Sequence, residues 1–550
     1  MISQADFISS MALKFDCFER DFTEDETSMM KYFALCFLAV APSVSALADD
    51  SNTSGALNVP HVFGDHMVLQ EGQPVPVWGW AQPGEAITVT FAGQKKTATA
   101  GSDGAWKATL DPLAVSAQPA DLTIAGPGTE SLAFHDVLVG EVWLCSGQSN
   151  MQKPVGTWRG QPATVLNGAQ EIAAANYPLI RLMNIEIANT DKPERDFNIT
   201  PRGKPDYPWE GWVVCTPQSL DEIKFSAVGY FFAQKLFTVL NVPVGMIEAT
   251  AGGTNIEGWM SANSFTDPAL ADFAKAAQTP KARFDGTVTT ALYNGMIAPM
   301  VPYALKGILW YQGESNLIKN DTLYAPKIKG LITGWRANWG RELPFYYVQL
   351  PDLYYSKRKN PGHNPVDEAF FREQQDTALT LPKTGVAVTD DVGDLKNMHP
   401  PNKKPVGERL ALWALADVYG KKDIEPSGPM YRPGSIEHEG PKAVLHFTHV
   451  GQGLESKDGQ PLTWFTTAGA DGVFYPAVAE ISGDAVVITS PQVASPQDVR
   501  FGWDEAAMPN FYNKDGLPAV PFRTDHQPQP PEPAAAPVAG PAPTPDAAPQ

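Results

Sequence analysis

Four short polar blocks carry the residue types that acyl-transfer chemistry needs. They are Ser146-Gly147-Gln148-Ser149-Asn150-Met151, Ala251-Gly252-Gly253-Thr254-Asn255, Gln312-Gly313-Glu314-Ser315-Asn316, and Asp391-Val392-Gly393-Asp394 leading to His399-Pro400. A serine on a sharp turn can attack an acyl carbonyl and a histidine can take its proton. Backbone N–H groups of glycine loops and a side-chain amide can hold the resulting oxyanion. Each part alone is commonplace, because serine and paired glycines in turns usually serve only the turn. Four such blocks in equivalent positions carry the weight. Rival chemistries find no anchor: the chain has no Gly-x-Ser-x-Gly elbow, no Cys-x-x-Cys, no His-Glu-x-x-His and no Gly-Lys-Ser/Thr phosphate loop. No metal or other cofactor is therefore expected.

The equivalence comes from the elements that must hold these blocks. Apolar runs at Val137–Cys145, Val242–Thr250, Lys306–Tyr311 and Gly385–Asp390 each end where a block begins, and Phe345–Leu350 is a fifth run of the same kind. Between them, helical spacing covers Phe225–Leu240, Leu292–Met300, Tyr324–Trp339, Ala369–Leu381 and Lys404–Tyr419. Alternation of this kind predicts an α/β fold with a parallel sheet covered by helices on both faces. Ligands then bind at the carboxyl ends of the strands, so all four blocks should meet on one rim. Residues 57–136 read instead as short β runs with turns at Pro83-Gly84 and Asp103-Gly104, a small β-sandwich, and residues 425–525 return to short β runs.

Composition narrows the function further. The 550 residues are 43% hydrophobic with a formal charge of −20, which suits a large core and argues against nucleic-acid binding. Four cysteines are too few for a disulfide scaffold, and no apolar run reaches the ~18–20 residues of a membrane helix. Met30-Lys31, the apolar Tyr32–Val40 and Ala46-Leu47-Ala48 have the three parts of a secretory signal peptide, so residues 1–48 are expected to be a leader with Met30 as the start. A periplasmic or secreted protein is expected on that basis, with no membrane in its mature form. From Gln527 to Gln550, 9 of 24 residues are proline, which predicts an extended tail.

At the four blocks the chain resembles the sialate O-acetylesterase-like branch of the SGNH hydrolases. The similarity rests on Trp143 through Met151, Gly252-Gly253-Thr254, Trp310 through Asn316 and His399-Pro400. Tyr293-Asn294-Gly295-Met296-Ile297 and Asn402-Lys403 through Val406-Gly407 extend it. It implies a flavodoxin-like SGNH hydrolase sheet over 137–420, a β domain at 55–136, a β region at 421–526 and a disordered tail at 527–550. It also implies removal of acetyl groups from sugars without a metal, so the expected partner is an acetylated carbohydrate. Carried onto this chain, Ser149 is the nucleophile and His399 the base. The Ser149 N–H, a glycine of the 252–253 pair (Gly253 preferred) and the Gln312 side chain form the oxyanion hole. Many SGNH enzymes place an aspartate three residues before the histidine, where this chain has Lys396. Lysine cannot accept an imidazole N–H, so Asp394 is the preferred support, with Asp391 or a backbone carbonyl as alternatives. Asn316, Trp259 and Trp310 are the expected substrate contacts, Trp158 a further aromatic for stacking, and Ser315 is read as structural. The substrate is either sialic acid or plant cell-wall polysaccharide such as xylan or xyloglucan; a decayed, carbohydrate-binding site is the alternative from another class. Cys145 and Cys215 are equally compatible with a disulfide and with buried thiols.

Overall fold

The computed structural model describes residues 56–525 apart from 129, 159–164, 200–210, 280–282, 285–286 and 359–362. The expected leader and proline-rich tail lie outside the described residues.

The strands at 75–80, 86–91 and 105–110 alternate buried and less buried residues, as half-buried β structure requires. In β1 (Val68–Gln70), β2 (Val75–Trp80), β3 (Ala86–Phe91), β4 (Gln94–Thr99), β5 (Ala105–Leu110) and β6 (Ser116–Ala125), the inward set includes Val75, Val77, Ile87, Val89, Phe91, Trp106 and Leu110. β2 pairs with β5, and β3 with both β4 and β6. One long strand, β7 (Leu132–Gly147), joins this β region to the parallel sheet. Its first half pairs antiparallel with β6 and its second half lies at the centre of that sheet. The change of character expected at residue 137 thus falls inside a continuous strand.

The sheet is completed by β8 (Tyr177–Asn184), β9 (Trp212–Cys215), β10 (Val244–Thr250), β11 (Gly307–Tyr311), β12 (Phe345–Val348) and β13 (Thr384–Ala387), in the order β13-β12-β11-β7-β10-β8-β9. Every neighbouring pair along this order is parallel except β8–β9. Its strands are mostly apolar because both faces are covered, with Glu141, Arg181 and Glu248 as buried charged exceptions. Val142 and Leu144 of β7, Ile308 and Trp310 of β11, and Phe345 and Tyr347 of β12 enter one core; Trp143, Cys145, Leu309, Tyr311, Tyr346 and Val348 enter the other. Helices α2 (Ala227–Leu240) and α6 (Lys404–Trp413) pack together over the second core. Over the first lie α4 (Tyr324–Trp339), carrying the buried Trp335, and α5 (Asp367–Asp376); both come after α3 (Glu314–Ile318) in the chain.

Helix α2 starts two residues later than its periodicity suggested because Ser226 caps it, accepting from the Gly229 N–H. The segment after Leu292 forms π and 3₁₀ turns (Tyr293–Ile297 and Ala298–Met300) instead of an α-helix. Residues beyond 425 form antiparallel strands around their own core of Leu445, Phe447, Phe465, Val486, Val499, Phe501 and Phe511. Cys145 and Cys215 are free, buried thiols, and burial raises the pKa of Cys215 to about 12. No helix among the described residues is long and apolar enough to cross a membrane.

Candidate active site

β7 is the first strand of the parallel sheet, and the chain adds strands on one side of it before crossing to the other, so its carboxyl end is where the strand order reverses. The turn leaving that end needs glycine. Gly147 has φ +136, and a Cβ there would lie 2.1 Å from the Tyr311 carbonyl oxygen. Gln148 comes next in extended conformation, and α1 (Ser149–Gln152) begins without a side-chain cap. Ser149 is thereby left half-buried at the tip, with its own N–H donating to no group among the described residues.

The loop after β13 brings His399 across to it: His399 Nε2 lies 2.8 Å from Ser149 Oγ. The glycine pair after β10 closes the third side, since a Cβ on Gly252 would sit 3.3 Å from Ser149 Cβ. The Gly252 N–H donates to Gln152 Oε1 at 3.1 Å. Gly253, with φ +72 and open space around it, keeps its N–H without an acceptor among the described residues. Ser149, His399 and Gly252 therefore meet at one rim, with Gly253 next in the chain, as the strand-end argument requires.

Other expected site residues are placed differently. Gln312 is fully buried. Its Nε2 is shared among Gln148 Oε1 (3.1 Å), the Thr254 carbonyl (3.1 Å) and Asn316 Oδ1 (2.8 Å), and its Oε1 accepts from Tyr324 OH (2.9 Å). With its amide saturated, Gln312 braces the residue before Ser149 and the residue after Gly253 rather than facing an oxyanion. Asn316 is also fully buried, accepting from the Ile256 N–H and donating to Asp321 Oδ2 at 2.8 Å, so it does not reach substrate. Trp259 and Trp310 have no exposed surface and meet edge to face at 6.1 Å in the core, which removes them as sugar platforms. The aromatic at the rim is Trp158, half-buried, with Lys153 Nζ 5.6 Å from its ring centre.

Neither aspartate supports His399. Asp394 accepts the Lys396 N–H at 3.0 Å within its own turn. Asp391 makes a two-pronged pair with Arg409, at 2.7 Å on each side. Among the described residues, His399 Nδ1 has no carboxylate partner. The loop is instead anchored at its base, where Arg372 reaches Asp352 (2.7 Å), Asp390 (3.2 Å) and Glu368 (3.4 Å), all four side chains being buried. Burial raises Asp352 and Glu368 above the ordinary carboxylate range and Asp390 to about 6, even with the guanidinium beside them. Ser315 has no contact with His399; its N–H points at Gln148 Oε1, 3.3 Å away.

Electrostatics set the state of the histidine. Burial, then the ammonium groups of Lys153 and Lys403, lower its pKa to about 4. An unshifted imidazole would protonate near ~6.5, and only the neutral ring can accept a proton. A lowered pKa moves the inactivating protonation to lower pH. For a reaction in which His399 takes the proton, kcat/KM is therefore expected to stay level as pH falls from 8 to about 5 and to drop only below that. A pH–rate profile checks this, and a midpoint between about 6 and 7 would contradict it.

Beside Gln152 and Thr250 lies a cleft of about 260 Å³, lined also by Trp158, Asn184, Glu186, Glu222, Lys224 and Glu248. Burial raises Glu248 to about 8. Lys224 is engaged by Thr157 Oγ1 (2.6 Å) and Asp221 Oδ1 (3.3 Å). Sequence reasoning missed this cleft, whose carboxylates come from just after β8 (Glu186), from β10 (Glu248) and from the segment before α2 (Glu222), among several isoleucines. It also missed Asn150 and Lys403, although both belong to blocks that carry the family resemblance.

Comparison with known proteins identifies the family. The family model described as carbohydrate esterase, sialic acid-specific acetylesterase, matches residues 139–415, which include Ser149 and His399. The sialate O-acetylesterase of Homo sapiens is 30% identical over 438 residues, 74% of this chain and 79% of that protein. That of Pongo abelii is 28% identical over 86% of this chain and 94% of its own length. Among solved structures, a carbohydrate acetylesterase from Xanthomonas citri is 38% identical and superimposes with a TM-score of 0.73, covering 86% of this chain and 100% of that one. The chain belongs to the carbohydrate esterase family of sialic acid-specific acetylesterases.

Proposed function

We propose that this protein is an exported carbohydrate O-acetylesterase of the SGNH type that works through an acetyl-enzyme on Ser149. The observation that carries the reading is the 2.8 Å contact between Ser149 Oγ and His399 Nε2 at the strand-order reversal. Ser149 Oγ attacks the acetyl carbonyl while its proton passes to His399 Nε2. The N–H groups of Ser149 and Gly253 receive the oxyanion. As the tetrahedral intermediate collapses, His399 returns the proton to the departing sugar oxygen. Water, deprotonated by the same nitrogen, then attacks the acetyl-enzyme, and acetate leaves with Ser149 regenerated. The flavodoxin-like strand order supports the SGNH assignment, and the signal-peptide pattern before residue 49 supports export.

The names of the relatives point to sialate as substrate. The lining of the cleft favours a second reading. Glu186 and Glu222 repel an acidic sugar and accept hydrogen bonds from hydroxyl groups, while Lys224 is already held by Asp221. A neutral acetylated sugar, as in plant cell-wall polysaccharide, suits such a cleft better. Acetate release from O-acetylated sialic acid and from an acetylated hemicellulose oligosaccharide, measured side by side, separates the two. The charge argument expects kcat/KM at least about tenfold higher on the neutral substrate, roughly 1.4 kcal/mol of discrimination. The opposite ranking would restore sialate, and no release from either by folded protein would favour a binding protein with a decayed site.

A further inference from the structure

The reading of Ser149 and His399 as a working pair leaves one task unassigned. In a serine triad a carboxylate behind the histidine holds the ring in place, and His399 has none among the described residues. Its loop must then be positioned through the backbone. One buried side chain is connected to do so.

Asn150 directly adjoins Ser149 and has no exposed surface. Its Nδ2 donates to the Met398 carbonyl at 3.0 Å and to Glu314 Oε1 at 2.5 Å, while its Oδ1 accepts from Lys403 Nζ at 2.6 Å. Met398 immediately precedes His399, and Lys403 lies four residues after it at the start of α6. Both shoulders of the histidine loop are therefore tied to the residue next to the serine. Burial lowers Lys403 to about 7, and below that pH the amide has only one workable orientation, because an ammonium can only donate and a carbonyl can only accept. Turning it over would oppose NH₂ to Lys403 and carbonyl to carbonyl at Met398. Glu314, at the start of α3, adds an acceptor from a third element and balances the buried ammonium across the amide.

We propose that Asn150 is a positioning residue for His399, fixing the separation of Ser149 Oγ and His399 Nε2, with Glu314 and Lys403 holding its amide in register. It touches no reacting atom; it acts through the loop.

Asn150→Ala is expected to lower kcat about 100-fold, the scale of an ångström-sized misplacement, with KM within about twofold of wild type because the cleft residues are untouched. Lys403→Met gives a second reading if the first variant does not fold. The charged groups facing His399 are Lys153, beyond the end of α1, and Lys403, with Glu314 across the amide. Losing Lys403 removes one of the two cations that disfavour the imidazolium, so the acid limb of the pH–rate profile is expected to move up in pH while plateau kcat falls. A residue with only a structural role would move neither the limb nor kcat alone. A folded Asn150→Ala enzyme with kcat within about threefold of wild type, or with its loss confined to KM, overturns the inference. So does a Lys403→Met enzyme whose plateau and acid limb both stay put. Ser149→Ala and His399→Ala measured alongside identify which claim failed. If either remains active, the pair itself is wrong and Asn150 has nothing to position; if both are dead while Asn150→Ala is unimpaired, only the positioning claim falls.

Discussion

Ser149→Ala is expected to reduce kcat/KM for an acetylated sugar by at least about 10⁴-fold while leaving the protein folded. The size reflects what the hydroxyl does. It is the group His399 Nε2 faces at 2.8 Å, and in the proposed mechanism its removal takes away both the attacking atom and the proton that the histidine accepts. Whatever rate remained would come from the two N–H groups and substrate binding. The chain also supplies its own control. Ser315 stands in Gly313-Glu314-Ser315-Asn316, close in sequence to the setting of Ser149, but it lacks any contact with His399. Ser315→Ala is expected to keep activity within about threefold. Acetate release by the two variants, with circular dichroism as the folding check, decides the matter. Activity that survives Ser149→Ala and disappears in Ser315→Ala would reverse the assignment.

Arg372→Met is expected to cost about 3–5 kcal/mol of folding stability, the range for removing one partner from a buried ion cluster. Arg372 pairs with Asp352, Glu368 and Asp390, and each of these side chains is about 1% exposed or less. Without it, three carboxylates remain in a dry interior and their pKa values rise further. A carboxyl whose folded pKa lies above its unfolded value binds more protons when folded. Stability then falls as pH rises from the unfolded pKa near ~4 toward the folded one. The deficit of Arg372→Met should therefore be larger at pH 8 than at pH 5. Denaturant unfolding at the two pH values measures it. A loss below about 1 kcal/mol, or one that shrinks as pH rises, would show that the cluster does not anchor the base of the His399 loop.

How much the residues alone reveal depends on the range of the interactions. The four blocks lie at strand ends, and strand ends are set by local apolar runs, so the placement of the blocks is legible in the sequence, while the roles expected of Ser149, Gly253 and His399 come from the family resemblance. Gln312, expected in the oxyanion hole, has its amide turned inward by partners 58 and 164 residues away, Thr254 and Gln148, which local spacing does not reveal. Trp310 sits in a strand buried on both faces, where alternation carries no information about an exposed side; Trp259 is held inside by Thr254 Oγ1 on its ring nitrogen at 3.0 Å. Strand β8 is hard to see because Pro178 and Arg181 interrupt its pattern, and Arg181 is tolerated there through a pair with Asp136 Oδ2 at 2.6 Å. Asp394 is the preferred nearby aspartate once the usual position holds Lys396, but its carboxylate accepts the Lys396 N–H within its own turn.

The central claim is that Ser149 is the atom-bearing nucleophile, and covalent trapping tests it most directly. The enzyme is treated with a fluorophosphonate ester, digested, and mapped by mass spectrometry while residual acetylesterase activity is tracked in parallel. One phosphonyl group per chain is expected, on Ser149, appearing at the rate at which activity is lost and absent from Ser149→Ala. Inactivation with the label on another residue, Ser315 included, would contradict the assignment.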